Sequence, residues 1–482
     1  MNNKKTIAAF LSTLTTPYHK NVSLGITDCA KLNNYNVLIY AGLALNAQKP
    51  YSPFRENIFN QVHKDQVSGI IIPTSSLSRY QSKEEFKKFL NRYKDFPIVT
   101  ICGDDEEYIN VKPDYAGGME KLMDHLIETH NYNKIVYLRG PKNNNSSNER
   151  QIGYEAALKK HDIPLREELI ISKDINSKAG AEVVNYLLDK NIDFDAIVAV
   201  NDNVAFSIIN ALKEHNIRVP EEKAVCGHQG RFECTYSSPP LTTWDEDSYK
   251  QGWKAAESLI KLLEGEEVKK EVSFDTKMYI RQSCGCSTGE IQEVLLPNDV
   301  ELKNDNLSEL ITLLNNKSLS KREISERMLE VQAREIKYHK DKIVELFRRI
   351  TGTVSLTEDL DKSIQFISQQ IGMKHCYIMF YENFDMEKGK VIFQKAFVDK
   401  RGLKIDSEDR IMTERLLIPN KYLPKEENYA LIVEPIFFKN MGMGYIMFDY
   451  SYRDGAVFES LKALLGSHIY AEYRYNLPSV EQ

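Results

Sequence analysis

Polar side chains stand where predicted strands end, and together they could bind a polar small molecule. Tyr18 follows the first predicted strand, Thr74 follows the third, and Asn201 and Asp202 follow a later one. Arg150 stands near the start of a predicted helix, after a polar loop. In open α/β sheets ligands bind beyond the carboxyl ends of the strands, so these side chains are expected to face one cleft. Arg, Asn and Asp offer donors and acceptors to sugar hydroxyls, and Tyr offers a stacking face.

Each of these positions also has a purely structural interpretation. Arg150 could brace the loop at 143–148, and Tyr18 could belong to the core. Asn201 and Asp202 precede a helical pattern, where either side chain would make a good N-cap. Both roles remain open for each residue.

No arrangement typical of an enzyme accompanies them. The sequence has no phosphate-cradling glycine loop, no nucleophile elbow and no zinc-protease helix. Cys284 and Cys286 form the only close cysteine pair, and no two further metal ligands stand at a recognisable spacing from them. His228 has no apparent catalytic partner and is interpreted as a packed histidine. We therefore expect a protein without catalytic activity, metal or cofactor.

The composition is that of a globular protein with no electrostatic attraction to nucleic acid or membrane. Of the 482 residues, 42% are hydrophobic and 27% are charged, and the net charge is −6. The seven scattered cysteines fit a reducing compartment. The apolar run at 6–14 lacks a cleavage site, and no stretch approaches the roughly 20 apolar residues of a membrane helix. These features predict a cytoplasmic protein that binds neither membrane nor nucleic acid directly.

Residues 1–287 alternate strand and helix in two series, before and after Asp114. The strand-length apolar runs span 6–14, 37–41, 69–73 and 98–102, then 134–138, 196–200 and 223–226. Helical patterns separate them, including one that ends at 61–67. Such runs are typical of parallel sheets covered on both faces, so the region is predicted to be α/β with two doubly wound lobes.

The alternation ends after residue 287. Residues 288–355 are predicted to form a polar linker and a connecting helix. The helix could pair with the same helix of a second chain as a coiled coil, and the protein would then be a homodimer. Residues 356–476 are predicted to form an α+β unit, with helices at 360–371 and 457–470 around an antiparallel sheet. Its strands are expected at 376–381, 390–397, 430–438 and 444–450, the last two joined as a hairpin.

Three motifs in the first region resemble the effector-binding domain of the LacI/GalR family. They are Asp114-Tyr115-Ala116-Gly117-Gly118 with the helix and strand after it, the run 194–202, and Pro239-Pro240-Leu241-Thr242-Thr243. The resemblance covers residues 6–286. It implies a type I periplasmic-binding-protein fold, in which a small effector, a sugar or a related metabolite, binds between the lobes.

The later part of the chain carries weaker resemblances. The ending at 281–286 is similar to that of sensors joined to signalling output domains. Val433-Glu434-Pro435-Ile436 and the run 444–448 resemble a GAF-type sensory domain. Together they imply a small-molecule sensor in signal transduction, which relays lobe closure through the connecting helix to a GAF-like domain and to an output protein in trans.

The chain departs from the LacI/GalR pattern at two places. After Cys226 the family usually has an acid where this chain has Gln229, so Gln229 becomes the candidate ligand-binding residue and a charge is lost. Family members carry a helix-turn-helix head before the sensor, whereas only residues 1–5 precede the first strand here. The alternative to a signalling sensor is a LacI-like transcriptional regulator that acts on DNA through a partner or a missing output domain.

Overall fold

The computed structural model describes most of the first 287 residues and the strands of the C-terminal region. The described residues are 4–141, 144–172, 178–235, 237–287, 373–382, 391–398, 401–412, 417–425, 427–438 and 441–450, with Lys462 and Gly466. The predicted linker and connecting helix at 288–355 lie outside them, as do the predicted helices at 360–371 and 457–470 apart from those two residues. Within the described part of the chain, no helix has the length and apolar character needed to span a membrane.

The first lobe is a parallel sheet in the order β11-β5-β4-β3-β1-β2. Its strands are β1 (Thr6–Leu11), β2 (Asn36–Ala41), β3 (Gly69–Pro73), β4 (Ile98–Ile101), β5 (Ile109–Pro113) and β11 (Glu271–Phe274). Its helices are α1 (Pro17–Leu32), α2 (Ser52–Glu56), α3 (Thr74–Leu77), α4 (Lys83–Asn91) and α9 (Ser248–Leu263). Alternate residues of β1 enter different cores: Ile7 packs with residues of α1 and α9, and Phe10 with residues of α4. Burial on both faces explains the unbroken apolar run.

The second lobe is a sheet in the order β12-β10-β9-β8-β6-β7, parallel except for β12. Its strands are β6 (Ile135–Arg139), β7 (Ile170–Ser172), β8 (Ala196–Val198), β9 (Ala224–His228), β10 (Thr242–Asp245) and β12 (Lys277–Tyr279). Its helices are α5 (Tyr115–His130), α6 (Asn145–Lys160), α7 (Ala179–Asp189) and α8 (Asp202–Glu214). Helices α7 and α8 share a core with one face of this sheet, and α5 and α6 with the other.

The chain crosses between the lobes three times. It crosses from β5 to α5, from β10 to α9, and from β11 to β12. At two crossovers an aspartate caps the next helix: Asp114 accepts from the Gly117 N–H at 2.9 Å, and Asp247 from the Lys250 N–H at 2.9 Å. Three short connections between two distinct sheets are the connectivity of a hinge.

The C-terminal strands extend the sheet of the first lobe. They are β13 (Cys376–Tyr381), β14 (Val391–Val398), β15 (Arg401–Leu403), β16 (Ile411–Met412), β17 (Ala430–Phe438) and β18 (Met441–Asp449). They pair antiparallel in the order β17-β18-β13-β14-β15, with β16 beside β14. Strand β17 also pairs in parallel with β2, so both groups share one sheet of 12 strands.

This shared sheet corrects the expectation of a separate C-terminal sheet. All six residues of β2 are buried, and without β17 the strand would be an open edge of the first lobe. Strand β17 supplies the missing partner, from Ala430 opposite Val37 to Val433 opposite Tyr40. The buried apolar character of β2 is therefore explained by a contact with residues almost 400 positions later.

Most predicted strands are confirmed with small changes of boundary, including the hairpin of β17 and β18. The predicted helix at 61–67 is wrong, since a 3₁₀ turn ends at Gln61 and a turn follows in which the His63 carbonyl accepts from Val67. Seven strands were not predicted from the sequence: β5, β7, β10, β11, β12, β15 and β16. They are short and several carry polar residues, such as Asn110 in β5, which obscure the apolar signal.

Gln66 joins the first lobe to the C-terminal region through two backbone hydrogen bonds. Its Oε1 accepts from the Leu417 N–H at 2.7 Å, and its Nε2 donates to the Ile418 carbonyl at 2.8 Å. Replacing Gln66 by Ala should lower the free energy of unfolding by about 1–2 kcal/mol, because both backbone groups lose a partner.

Urea denaturation followed by circular dichroism measures this change. The matched control is Gln48→Ala, because Gln48 is exposed and makes a single local bond to the Asn46 carbonyl. The control should stay within about 0.5 kcal/mol of the parent chain. Equal effects of the two substitutions would contradict the role given to Gln66.

Candidate functional site

A large cleft lies between the two lobes, at the carboxyl ends of their parallel strands. Its volume is about 1840 Å³, larger than the roughly 300–1,000 Å³ of a closed small-molecule pocket. Five of the six predicted ligand-binding residues line it: Tyr18, Thr74, Arg150, Asn201 and Gln229. The structure thus brings together side chains that are spread over more than 200 positions of the sequence.

Arg150 is buried at the base of the cleft, with only 5% of its surface exposed. Its Nε donates to the Ser146 carbonyl at 3.1 Å, and its Nη1 donates to the Val200 carbonyl at 2.9 Å. The same Nη1 lies 3.1 Å from Nδ1 of His228. Arg150 therefore braces residue 146 within the segment predicted as a loop, which is here the first turn of α6, and it also connects α6 to the ends of β8 and β9.

A buried acid lies opposite this guanidinium, at the crossover from β10 to α9. Glu246 accepts a hydrogen bond from the Tyr115 hydroxyl at 2.8 Å. The Tyr115 hydroxyl also lies 3.3 Å from the Cys102 sulfur. Burial raises the pKa of Glu246, while the Tyr115 hydrogen bond and the charge of Arg150 act to lower it. Two crossovers and one strand end of the first lobe thus meet at this acid.

His228 packs beneath the cleft and also lines it. Its ring centroid lies 4.2 Å from that of Trp244, in keeping with the packed histidine expected from the sequence. Nε2 of His228 is 3.7 Å from the Glu246 carboxylate. Burial, with Arg150 nearby, holds the pKa of His228 well below its usual value, so the imidazole is neutral at pH 7.

Asp245 supplies the acid that the sequence lacks at position 229. Gln229 has a φ of +112° and donates its N–H to the Trp244 carbonyl at 2.9 Å, which places it beside β10. Next to it, Gly230 has a φ of +66°, and a Cβ there would lie 2.6 Å from Cβ of Asp245. Asp245 also lines the cleft. Position 229 has no acid, as expected, but Asp245 at the end of β10 and Glu246 directly after it bring two carboxyl groups to the cleft.

Asp202 is the predicted site residue that does not line the cleft. Its carboxylate is fully buried and accepts from the Arg231 N–H at 2.8 Å and the Thr243 hydroxyl at 2.7 Å. It holds the loop after β9 against β10, which is a structural role. Asn201 combines both interpretations, since it caps α8 by accepting from the Val204 N–H at 2.9 Å and lines the cleft.

Tyr18 and Thr74 enter the cleft from the first lobe. The Tyr18 hydroxyl donates to Oε1 of Gln251 at 3.2 Å, which fixes its ring against α9. Thr74 begins α3 directly after β3 and is mostly buried. Sequence reasoning missed Cys102, Tyr115, Asp245 and Glu246. The sequence motifs could have indicated two of them, because Tyr115 belongs to the first motif and Glu246 follows shortly after the third.

Asp245 should make the stability of the fold depend on pH. Burial raises its pKa from 3.8 to about 7. Because the folded pKa is the higher one, the unfolded chain loses this proton first, and stability falls as pH rises from about 4 to about 7. Asp245→Asn removes this loss. The free energy of unfolding of the variant minus that of the parent chain should therefore increase by about 1–3 kcal/mol between pH 4.5 and pH 8.

Urea denaturation at several pH values measures that difference. Any effect of His228 on the pH dependence of stability is present in both proteins and therefore cancels. The exposed Asp275→Asn is the matched control and should show a difference that varies little with pH. A flat pH profile for Asp245→Asn would mean that this carboxyl is not buried as described.

A comparison with known protein families matches the second lobe. Residues 123–284 match the family described as a periplasmic binding protein-like domain. That segment runs from α5 to the end of the two-lobed region, so it includes Arg150, Asn201, Gln229 and Glu246.

Several transcriptional regulators are similar in sequence. The HTH-type transcriptional regulator RegA of Clostridium saccharobutylicum is 26% identical over 268 residues, which is 55% of this chain and 76% of RegA. The HTH-type transcriptional regulator MalR of Clostridium butyricum is 26% identical over 287 residues, 59% of this chain and 83% of MalR. An HTH-type transcriptional repressor PurR of Actinobacillus pleuropneumoniae is 24% identical over 289 residues.

Solved structures share the fold. The transcription regulator CcpA of Lactococcus lactis aligns with a TM-score of 0.50 at 24% identity, over 58% of this chain and 99% of CcpA. The transcriptional regulator CelR, solved as a complex with cellobiose, aligns with a TM-score of 0.50 at 21% identity, over 59% of this chain and 86% of CelR. The two-lobed region of this chain is therefore similar in sequence to a periplasmic binding protein-like domain and to several transcriptional regulators, and it shares its fold with CcpA and CelR.

Proposed function

We propose that the cleft binds a small polar effector, a sugar or a related metabolite, and that its binding controls transcription. One observation carries this proposal: Arg150, Asn201 and Glu246, from three separate segments, converge with Tyr18 and Thr74 on one cleft between two hinged lobes. The similarity to regulators such as RegA and MalR supports transcription as the process controlled.

The charges at the base of the cleft favour a neutral ligand with several hydroxyl groups. One buried guanidinium, that of Arg150, lies near two acids, Asp245 and Glu246. The guanidinium has the Glu246 carboxyl beside it, and the carboxyl of Asp245, whose pKa is raised to about 7, can both accept from and donate to a ligand hydroxyl at neutral pH. A sugar can accept from Arg150 and from the Asn201 amide while it donates to a carboxylate, and the Tyr18 ring can cover an apolar sugar face.

The same groups support sensing over catalysis. Arg150 and Glu246 are occupied by neighbouring backbone or side-chain groups that fix their positions. The neutral His228 imidazole is wedged between Trp244 and Arg150, and within the described residues no hydroxyl or thiol nucleophile lies hydrogen-bonded to it. We propose a cytoplasmic, non-enzymatic sensor that acts as a homodimer.

A ligand that touches both lobes favours the closed hinge. Closure rotates the second lobe against the first, and the first lobe carries the C-terminal strands in its own sheet. The chain leaves the second lobe after Cys286 and rejoins the shared sheet at Cys376. Lobe closure would therefore displace the two ends of the segment 288–372 relative to each other.

This displacement supports a second candidate function, relay of the signal to a GAF-like C-terminal unit. Such a relay would pass through the segment that spans the two anchors and would act on a signalling output protein in trans. It is compatible with control of transcription, since either output would depend on the same closure.

Asn201→Asp separates the two roles of Asn201. Asp caps a helix as well as Asn does, so the stability of the free protein should change little. The substitution replaces an amide donor by a carboxylate, so effector affinity should fall at least tenfold, or about 1.4 kcal/mol. The measurement is a thermal-shift screen of sugars and nucleosides, followed by calorimetric titration of the strongest binder.

One matched control lies outside the cleft, and a second test variant lies inside it. Arg92→Ala removes an exposed arginine that packs on Phe89 and should leave the ligand-induced shift unchanged. Arg150→Lys keeps a charge but loses the forked donor and should abolish the shift. A parent-level shift in both Asn201→Asp and Arg150→Lys would contradict the proposed site.

The proposed control of transcription is tested by comparing expression of the neighbouring genes in cells that carry the parent chain or Asn201→Asp. We expect the effector to change expression only with the parent chain. An unchanged transcript level with and without the effector, for a parent chain that binds it in vitro, would contradict control of transcription and leave relay to a signalling partner.

A further inference from the structure

Two histidines and two cysteines meet at the end of the second lobe, outside the cleft. His125 and His130 come from the last turns of α5, and Cys284 and Cys286 come from the segment that follows β12. One ligand atom of each residue, a ring nitrogen or a sulfur, can be chosen so that all four lie within 4.8 Å of one another. In the sequence, Cys284 and Cys286 have no further metal ligands at a recognisable spacing, which is why no metal site is expected from it. The structure brings His130 to Cys286 from 156 positions away and His125 to Cys286 from 161 positions away.

The measured separations are those of a tetrahedral metal site. Nε2 of His125 lies 3.6 Å from the Cys284 sulfur and 3.5 Å from the Cys286 sulfur, and Nε2 of His130 lies 3.4 Å from the Cys286 sulfur. Bonds of about 2.3 Å to sulfur and about 2.0–2.1 Å to nitrogen, at tetrahedral angles around zinc, separate sulfur from nitrogen by about 3.6 Å. These three sulfur–nitrogen distances are therefore close to those that a shared zinc ion would impose.

The surroundings hold the two imidazoles in the orientation that metal binding needs. Nδ1 of His125 lies 3.3 Å from the Thr129 hydroxyl, so the other ring nitrogen is free to face the sulfurs. The His130 ring stacks on Tyr132 at 5.3 Å with an interplanar angle of 20°.

Gly285, between the two cysteines, allows this close approach. It has a φ of +109°, and a Cβ there would lie 3.0 Å from Nδ1 of His130 and 3.1 Å from the Tyr132 hydroxyl. Both the backbone conformation and the narrow space favour glycine. The Cys-Gly-Cys order thus has a physical reason: it folds two sulfurs around the end of α5.

We propose that His125, His130, Cys284 and Cys286 hold one Zn²⁺ ion in a closed, structural site. Two thiolates and two imidazoles are the ligands of tetrahedral zinc, and hard cations such as Mg²⁺ or Ca²⁺ would need oxygen ligands. Four protein ligands leave no open position for a substrate, which makes the site structural. Binding releases the two thiol protons to solvent, and no oxidation or reduction is involved.

The position of the site gives it a mechanical role. The zinc ion would tie residues 284–286, where the chain leaves the second lobe, to the end of α5 in that lobe. The segment 281–284 is already held there, since Ser283 donates its N–H to the Pro240 carbonyl and its hydroxyl to the Val225 carbonyl. With the metal bound, residues 284–286 would move together with the second lobe, and so would the start of the chain that follows them.

Metal content tests the proposal on the full chain, purified without chelator and extensively dialysed. We expect about one zinc ion per chain by elemental analysis. Cys286→Ser and His130→Gln should weaken zinc binding about 100-fold or more and lose the metal on dialysis. The matched controls Cys29→Ala and His215→Gln change the same residue types elsewhere and should keep it. His215 is exposed and contacts Asn185.

A cobalt spectrum of the parent chain tests the site even if the variants fail to fold. After the zinc is removed with a chelator, the parent chain is titrated with Co²⁺ alone. Tetrahedral coordination by two thiolates should give intense visible bands and a sulfur-to-cobalt charge-transfer band, both reversed by added Zn²⁺. Absence of zinc together with absence of these bands would overturn the proposal. So would zinc that stays in Cys286→Ser, because the ion would then lie elsewhere, for example at Asp124, Glu128 and His161.

Discussion

The pairing of β17 with β2 determines how the rest of this molecule can move. Strand β2 is buried along its whole length and would be an unprotected edge without β17. Because the two strands pair, the first lobe and the C-terminal strands share one sheet, and Gln66 and Asn57 add contacts across the same junction. The second lobe is joined to this body through three crossovers, which is the connectivity of a hinge between two lobes.

The cleft lies at that hinge, and its charged groups depend on it. Glu246 stands at one crossover and accepts a hydrogen bond from Tyr115 at another, while Arg150 belongs to the second lobe. A ligand that bridges Arg150 and the acids would therefore act on the groups that join the lobes. This arrangement supports a sensor in which binding and domain closure are one event. The proposed zinc site would carry the same motion to the chain that leaves the second lobe.

The sequence was sufficient to predict the two doubly wound lobes and five of the six cleft residues, because both follow from local patterns. Long apolar runs report burial on both faces, and polar residues after such runs report the ligand edge of a sheet. Three features escaped because each depends on contacts between distant segments. Strand β17 completes the edge of β2, Asp245 replaces the acid missing at position 229, and His125 and His130 join Cys284 and Cys286. Asp202 was misassigned because a capping position next to Asn201 gives no sign of which way its carboxylate turns.

The central claim is that a bound effector closes the hinge while the first lobe and the C-terminal strands move as one body. Spin–spin distances in the full chain test it directly, with labels introduced at three exposed lysines, Lys64 in the first lobe, Lys213 in the second and Lys404 in the C-terminal region. With a saturating amount of the sugar that binds, the distance from Lys64 to Lys213 should change, and the distance from Lys64 to Lys404 should stay constant. A bound sugar that leaves the first distance unchanged, or that changes the second, would contradict this account.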